Sequence, residues 1–258
     1  MLNLAVNLSM IFTEVPLIER FALAKKYDFH SIEIQFPYEL SIEQLQDQLE
    51  EHDLDLVLIN VPAGDLMQGG NGLAGVPGKE NEFAIAVQKA MEYALHLSVP
   101  TVNILAGKQP VDADLLPCLQ TLADNLRFAC DAFQGAGITP VIEMINGIDM
   151  PRFLVQNLAQ AQEMLEAVHH PALKLQYDCY HMAMMGEDVL QGLEENIEHI
   201  AHIQFADYPH RHEPTTGELN FQAIFEWIRS SEYLGYCAAE YKPKTSSEQS
   251  FDWLKNCL

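Results

Sequence analysis

The sequence of 258 residues is poor in positive charge. It has 14 Lys and Arg residues against 37 Asp and Glu residues, which gives a formal net charge of −23. Binding to nucleic acid or to an anionic membrane surface needs a basic face, because affinity there comes from neutralised phosphates and released counterions. The charge balance therefore predicts no nucleic-acid partner and no membrane partner.

The sequence also lacks long apolar runs. No stretch reaches the roughly 18 uninterrupted apolar residues that a membrane helix needs. The first four residues, Met1 to Leu4, carry none of the positive charge with which a secretory signal peptide begins. We therefore expect a soluble protein of the cytoplasm.

Cysteine offers no structural framework. The chain has five cysteines, an odd number, and they are far apart with no C-x-x-C pair. This pattern favours neither a set of disulfides nor a zinc site built from thiolates.

Short runs of β-forming residues recur along the chain, and each is followed by apolar residues at helical spacing. Such a unit of about 32 residues is the size of one strand, one helix and two loops, and regular alternation predicts a parallel sheet. Eight units predict an α/β fold, a (β/α)₈ TIM barrel with a single domain over residues 1–258. The runs are Leu4–Leu8, Ser31–Phe36, Leu54–Val61, Thr101–Leu105, Thr139–Ile145, Leu173–Tyr177, Ile200–Phe205 and Tyr236–Tyr241.

Local signals support the helices between these runs. Ser41 with Gln44 predicts a capping box, and Asn220 predicts an N-cap before a stripe of apolar residues at positions 221, 224, 225 and 228. Residues 62–80 contain six glycines and follow the third predicted strand. Loops after barrel strands open on the catalytic face, so this segment is a candidate lid.

Four oxygen-bearing side chains stand near the ends of the last four predicted strands. They are Glu143, Asp178, Gln204 and Glu240, separated by 35, 26 and 36 residues. Because each separation is close to one unit, we expect the four to converge at the mouth of the barrel. The alternative is that some of them are exposed residues that reach only solvent.

Three buried carboxylates would repel one another and would be costly to desolvate. A bound divalent cation removes that cost. Three carboxylates and an amide oxygen form an all-oxygen ligand set, which suits Mg²⁺ or Mn²⁺ better than zinc.

Several short motifs follow one another along nearly the whole chain. They are Asn7-Leu8-Ser9-Met10, Phe36-Pro37-Tyr38, Pro62-Ala63-Gly64-Asp65, Tyr177-Asp178 with Tyr180-His181, Gln204 with Ala206-Asp207, Arg211 with Glu213-Pro214 and Thr216-Gly217-Glu218, and Glu240-Tyr241-Lys242-Pro243. In this order they resemble the hydroxypyruvate isomerase family, a branch of the xylose-isomerase-like TIM-barrel superfamily.

The resemblance implies an enzyme that interconverts hydroxypyruvate and tartronate semialdehyde, two small oxo acids. It implies a metal held by Glu143, Asp178, Gln204 and Glu240, with Glu143 and Glu240 as the catalytic pair that transfers the proton. Many relatives in the superfamily have His where Gln204 stands, and this departure fits the hydroxypyruvate branch rather than the sugar epimerases.

Four further residues are candidates for substrate binding. Arg211 can hold a carboxylate through its planar guanidinium, and Lys242 adds positive charge after the last strand. His181 is expected to project from the loop after strand six toward substrate oxygens, and Glu33 to bond a substrate hydroxyl or to support His181. The alternatives are a surface arginine and a structural histidine.

Three other functions stay open at this stage. A 2-oxo-tetronate isomerase would use the same metal residues on an acid with one more carbon, and Thr13-Glu14-Val15-Pro16 resembles that branch. The endonuclease IV branch cleaves phosphodiesters, but its zinc-binding histidines and DNA-facing surface are not recognisable here. A barrel that binds a ligand without catalysis is the third. Assembly into a homo-oligomer is left open.

Overall fold

The computed structural model describes residues 2–257, and of Asn256 only the backbone. Within these residues eight parallel strands form a closed barrel in which each strand pairs with the next one along the chain and the eighth pairs with the first. The predicted (β/α)₈ TIM barrel is therefore confirmed. The strands are β1 Asn3–Asn7, β2 Ser31–Glu33, β3 Asp55–Asn60, β4 Thr101–Ile104, β5 Thr139–Glu143, β6 Lys174–Asp178, β7 Ile200–Phe205 and β8 Tyr236–Ala239.

Helices follow the strands and cover the outside of the barrel. Across the described residues they are α1 Leu17–Lys26, α2 Ile42–His52, α3 Glu80–His96, α4 Leu115–Gly135, α5 Leu158–Val168, α6 Cys179–Met184, α7 Val189–Asn196, α8 Phe221–Ser230 and α9 Trp253–Asn256. None of those in residues 2–257 combines the length and the apolar character that a membrane crossing requires.

The capping residues predicted from the sequence are found at the starts of their helices. The Ser41 hydroxyl accepts from the Gln44 N–H while the Gln44 side chain accepts from the Ser41 N–H, a complete capping box at α2. At α8, Asn220 Oδ1 accepts from the Ala223 N–H at 3.1 Å. The predicted apolar stripe of α8 is buried, and Phe225 packs edge-on against Phe205 of β7, with ring centroids 5.1 Å apart.

Strand β2 is shorter than the predicted run Ser31–Phe36. It ends at Glu33, because the Gln35 N–H donates to the hydroxyl of Ser9 at 2.8 Å instead of continuing the ladder. A one-turn 3₁₀ helix then begins at Pro37, whose ring cannot supply an N–H to a sheet. The early end frees Gln35 to turn toward the barrel mouth.

The interior of the barrel changes from apolar to polar along its axis. Ala5, Val57 and Ala238 form a small apolar layer. Beyond it, toward the carboxyl ends of the strands, the buried side chains are polar, as at Asn7 and Glu33, which are paired across β1 and β2. In a barrel of this type the carboxyl end is where active sites lie.

The segment of residues 62–80 is packed onto the barrel in this structure. Leu66 and Leu73 are buried, and Asp65 Oδ1 accepts from the Gly72 N–H at 2.9 Å. Gly64 has a φ of +60°, and a Cβ atom there would lie 2.9 Å from the Leu73 side chain, so glycine is favoured at this position. Met67 reaches the rim of the barrel mouth and is 55% exposed. Movement of this segment as a lid stays a prediction.

Candidate active site

The four oxygen-bearing side chains predicted from the sequence lie at the carboxyl end of the barrel. Glu143 and Asp178 are the last residues of β5 and β6, and Asp178 pairs in register with Gln204 of β7. Glu240 follows β8, where its N–H donates to the carbonyl of Phe205 at 3.0 Å. All four side chains are buried.

A cavity of about 90 Å³ opens at this end of the barrel. Its polar wall includes Glu143, His181, Arg211 and Glu240. The rest of the wall is largely apolar, with Phe36, Met67, Leu105, Ile145 and Met150. A small cavity with a few convergent charged groups in an apolar wall is the usual form of a site for a small molecule.

Arg211 is the cation of this site. Its Nη2 atom donates to Glu240 Oε2 at 2.5 Å and to Asp178 Oδ2 at 3.4 Å. The guanidinium lies over the ring of Tyr180, 5.2 Å from its centroid. One positively charged group thus contacts two of the carboxylates, which shows that they face a common point.

The carboxylates are held in an environment that disfavours their charge. Burial raises the pKa of Glu143, and the charges of Glu240 and Asp178 raise it further. Burial also raises the pKa of Asp178, against the opposing effect of Arg211. Burial raises the pKa of Glu240 to about 7, again partly opposed by Arg211. A carboxyl group with a pKa of about 7, as at Glu240, can both release and accept protons near neutral pH.

Amide side chains that the sequence analysis did not single out hold these carboxylates in place. Glu240 Oε1 accepts from Gln35 Nε2 at 2.8 Å and from Asn7 Nδ2 at 3.1 Å. Glu143 Oε2 accepts from Asn103 Nδ2 at 2.9 Å. In each case one carboxylate oxygen is fixed by an amide, which leaves Glu143 Oε1 for other contacts, while Glu240 Oε2 accepts from Arg211. The sequence offered one clue to these amides, since each of them stands at or near the end of a strand, where side chains can face the barrel mouth.

Gln204 belongs to the same network. Its Nε2 atom donates to Glu33 Oε2 at 2.8 Å and lies 3.4 Å from Glu240 Oε1, while its Oε1 atom accepts from Gln176 Nε2 at 2.6 Å. The amide oxygen that a metal would need therefore faces Gln176 in this structure.

Glu33 does not contact His181, one of its two expected roles, and the other role, a hydrogen bond to a substrate hydroxyl, stays a prediction. It is fully buried, and it contacts His202 and Asn7 rather than His181. His202, which the sequence analysis did not single out, pairs with Glu33 through its Nε2 atom. Together they form a polar support below Gln204.

His181 lies on the short helix α6, directly after Asp178. Its Nε2 atom is 3.6 Å from Asp178 Oδ2 and 3.8 Å from Glu143 Oε1. Ligand atoms of Glu143, Asp178 and His181 all lie within 4.8 Å of one another, so the cluster can hold a metal ion. Burial lowers the pKa of His181, and Arg211 lowers it further, so the imidazole is neutral.

Lys242, like Glu33, is a predicted substrate residue that does not line the described cavity. Its side chain is exposed and lies outside the cavity wall formed by the described residues. Its backbone N–H donates to the carbonyl of Arg211 at 2.7 Å, so it supports the loop that carries the arginine. Its role in substrate binding stays a prediction.

Three buried carboxyl groups and an arginine at the carboxyl ends of the strands of a closed parallel barrel are the arrangement expected of a TIM-barrel enzyme. The family model described as "Xylose isomerase-like TIM barrel" matches residues 21–257. The chain belongs to this family.

Relatives of known function agree with the resemblance seen in the motifs. The chain is 38% identical over 254 residues to a hydroxypyruvate isomerase of Escherichia coli strain K12, and 37% identical over 254 residues to a 2-oxo-tetronate isomerase of Cupriavidus necator. Each alignment covers 98% of this chain and 98% of the relative. The predicted membership of the hydroxypyruvate isomerase group is confirmed.

Solved structures show the same architecture. A crystal structure from Brucella melitensis described as an "AP endonuclease, family 2" has a TM-score of 0.95 and 34% identity, with 99% of each chain covered. A 3-keto-D-glucoside 4-epimerase from E. coli has a TM-score of 0.83 over the full length of both chains at 21% identity, a likeness of fold alone.

Proposed function

We propose that this protein is a hydroxypyruvate isomerase, which interconverts hydroxypyruvate and tartronate semialdehyde (2-hydroxy-3-oxopropanoate). The observation that carries the proposal is the pair of buried carboxyl groups, Glu143 and Glu240, on the wall of one small cavity that also contains Arg211. The named functions of full-length relatives support it.

The reaction requires two proton transfers on neighbouring carbons. A proton leaves the hydroxymethyl carbon beside the carbonyl, and an enediolate forms. A proton then returns to the former carbonyl carbon while the hydroxyl proton passes to the neighbouring oxygen, so that the aldehyde forms where the hydroxyl stood. One carboxylate acts as the base and one carboxylic acid as the donor, and the roles exchange in the reverse direction. Among the described residues, the carboxyl groups in the cavity wall are those of Glu143, Glu240 and Asp149. Asp149 is the less suitable of the three, because its Oδ2 atom already accepts hydrogen bonds from Tyr180 and Asn146.

The substrate carboxylate is assigned to Arg211. Its Nε atom is buried without a hydrogen-bond partner in the described residues, and it is a donor. On the same cavity wall, the Oδ1 atom of Asn60 is buried without a partner within residues 2–257, and it is an acceptor. Buried polar atoms are costly when left unpaired, so this pair suits a ligand that offers both an anionic acceptor and a hydroxyl donor. A hydroxy acid offers both.

A divalent metal fits the charge of this site. Glu143, Asp178 and Glu240, when ionised, carry three negative charges against the one positive charge of Arg211, and one divalent cation would balance the remainder. We propose Glu143, Asp178, Gln204 and Glu240 as the residues that hold it. Gln204 would have to turn its amide, because its oxygen now faces Gln176.

Mg²⁺ or Mn²⁺ suits such an oxygen-rich set. When bound, it would act as a Lewis acid that stabilises the negative charge of the enediolate. Location in the cytoplasm and assembly into a homo-oligomer stay predictions.

A 2-oxo-tetronate isomerase is the second candidate, because a full-length relative with that name is almost as similar as the first. The two functions differ by one carbon of the substrate, and the cavity of about 90 Å³ favours the smaller acid. Turnover of both acids by the same protein sample decides between them.

The decisive experiment is a proton NMR assay of hydroxypyruvate and of the four-carbon acid in D₂O, each with Mg²⁺ and with chelator. We expect deuterium to enter hydroxypyruvate and tartronate semialdehyde to appear, with a large loss of rate on chelation. Glu143→Gln serves as the matched control, since it keeps the shape of the side chain and removes the base. Absence of exchange in both acids would overturn the proposal and favour a binding protein.

A further inference from the structure

The hydrogen bonds around Asn146 decide which nitrogen of His181 carries the proton. Asn146 follows β5 and is fully buried. Its Oδ1 atom accepts from the backbone N–H groups of Asp149 at 2.8 Å and Ile148 at 3.1 Å. Because both of these groups can only donate, the orientation of the Asn146 amide is fixed with its oxygen toward them.

The Nδ2 group of Asn146 therefore points the other way. It donates to Asp149 Oδ2 at 3.0 Å and lies 2.6 Å from His181 Nδ1. The backbone N–H of Asn146 also points at His181 Nδ1, at 3.4 Å. Two donors face this nitrogen, so it must accept and cannot carry a proton itself.

An imidazole whose Nδ1 accepts hydrogen bonds carries its proton on Nε2. That atom points toward Asp178 Oδ2 at 3.6 Å and Glu143 Oε1 at 3.8 Å. Both distances exceed a normal hydrogen bond, so neither carboxylate holds this proton. His181 also lines the cavity, so its Nε2–H is available to a ligand there.

We propose that Asn146 is a positioning residue that locks His181 in the Nε2–H tautomer, so that His181 donates a hydrogen bond to a substrate oxygen and does not ligate the metal. The inference rests on the proposed function for the identity of the substrate. A metal ligand would need the Nε2 lone pair, which the proton occupies in this tautomer.

The role has a clear physical benefit for proton transfer beside a carbonyl. Negative charge develops on the carbonyl oxygen as the enediolate forms, and a fixed neutral donor aimed at that oxygen stabilises it without a change in its own protonation. Loss of one such donor in other enzymes costs about 10²–10³-fold in kcat. No bond of His181 breaks in this step.

The first test reads the tautomer directly. The full-length protein is labelled with ¹⁵N-histidine, treated with chelator, and studied by long-range ¹H–¹⁵N correlation, and the His181 signals are assigned by their loss in His181→Gln. We expect the Nε2–H tautomer. A proton on Nδ1, or on both nitrogens at pH 8, would overturn the proposal whatever the substrate is.

The second test changes the partner. Asn146→Asp keeps the acceptor for the two backbone N–H groups but replaces the donor to Nδ1 by a carboxylate oxygen, so the tautomer should reverse to Nδ1–H and kcat should fall by about 10²-fold. The new carboxylate would stand beside Asp149, so Asn146→Asp with Asp149→Asn is made as well, to relieve that repulsion. A variant in either background that keeps the Nε2–H tautomer contradicts the proposal.

Asn157→Asp is the matched control. Asn157 caps α5 through its Oδ1 atom, which an aspartate replaces equally well, and the substitution introduces the same charge away from the site. We expect normal kcat and an unchanged His181 signal.

Metal binding gives a readout that does not depend on turnover. If His181 is not a ligand, the Kd for Mn²⁺, measured by electron paramagnetic resonance, should change less than threefold in His181→Gln. A loss of tenfold or more would show that His181 ligates the ion and would overturn the proposal. If the wild-type protein turns over neither oxo acid, the proposed function fails, while the tautomer and the Mn²⁺ affinity still decide this inference.

Discussion

Replacing Glu240 by glutamine should make the metal-free protein more stable at pH 8 and almost inactive. Glu240 is buried, and burial raises its pKa from 4.5 to about 7. A carboxyl group with a pKa raised on folding binds its proton more tightly in the native state than in the unfolded chain. Its ionisation therefore costs folding free energy.

The magnitude follows from that pKa. A rise from 4.5 to about 7 corresponds to about 3 kcal/mol, because each pH unit is worth about 1.4 kcal/mol. Below pH 4.5 both states are protonated and the wild type and the variant should be equally stable. Between pH 4.5 and 7 the wild type loses stability as the pH rises, and above pH 7 the whole difference is present. For a chain of this size, 3 kcal/mol corresponds to about 6–12 °C in Tm.

The assay is thermal unfolding at pH 4.5 and at pH 8, with chelator and then with Mn²⁺. In chelator at pH 8, Glu240→Gln should melt above the wild type. Mn²⁺ should raise the Tm of the wild type more than that of the variant, because a cation offsets the charge that the variant lacks. The exposed helix residue Glu226 provides the control, since Glu226→Gln should change stability by less than about 0.5 kcal/mol at either pH.

Two results would refute this reasoning. One is a wild type that melts above Glu240→Gln at pH 8 in chelator. The other is a difference between them that does not change with pH. The first would mean that the hydrogen bonds to Glu240 from Arg211, Gln35 and Asn7 outweigh the cost of burying its charge, and the second that they cancel that cost.

Three further outcomes are expected. Arg211→Ala should raise KM for hydroxypyruvate by tenfold or more while the Kd for Mn²⁺ changes less, and equal losses in kinetics and metal titration would argue against its role as carboxylate anchor. Ile224→Ala should lower the free energy of unfolding in urea by about 2–5 kcal/mol with kcat unchanged, because α8 packs on the outside of the barrel; a matching fall in kcat would contradict this separation. In a gel-shift assay at physiological salt, duplex DNA should not be retarded, because the chain carries a net charge of −23. A tight shifted band would favour the nuclease function named for the Brucella melitensis structure.

The barrel could be predicted because its signal is repeated eight times. Runs of β-forming residues alternate with apolar residues at helical spacing, and the units are of nearly constant length. Two predicted helix caps, at Ser41 and Asn220, are also present in the structure. The ends of strands were less predictable. Strand β2 ends early through a hydrogen bond from Gln35 to Ser9, a contact between two loops that local sequence does not encode.

The charged members of the site could be found for a related reason. A carboxylate at the end of an apolar strand is conspicuous, and Glu143, Asp178 and Glu240 recur at the spacing of the fold. Their partners were missed because amides are common at strand ends, and the sequence does not tell which of them turn inward. Glu33 shows the same limit, since its partner His202 is 169 positions away along the chain and meets it only through closure of the barrel.

These amides explain how the barrel can keep acid groups buried and ready. Arg211 lowers the pKa of Glu240, but burial outweighs its effect and the pKa stays at about 7. Gln35 and Asn7 donate neutral hydrogen bonds to Oε1 of Glu240, and Asn103 donates one to Oε2 of Glu143, which fixes each side chain and moderates the cost of burial without adding a compensating charge. Asn146 fixes His181 by the same means. Oε1 of Glu143 then remains for contacts in the cavity, while Oε2 of Glu240 accepts from Arg211. The excess negative charge of the three carboxylates would favour a divalent cation, and that cation together with Arg211 would offset the charge that an anionic substrate brings.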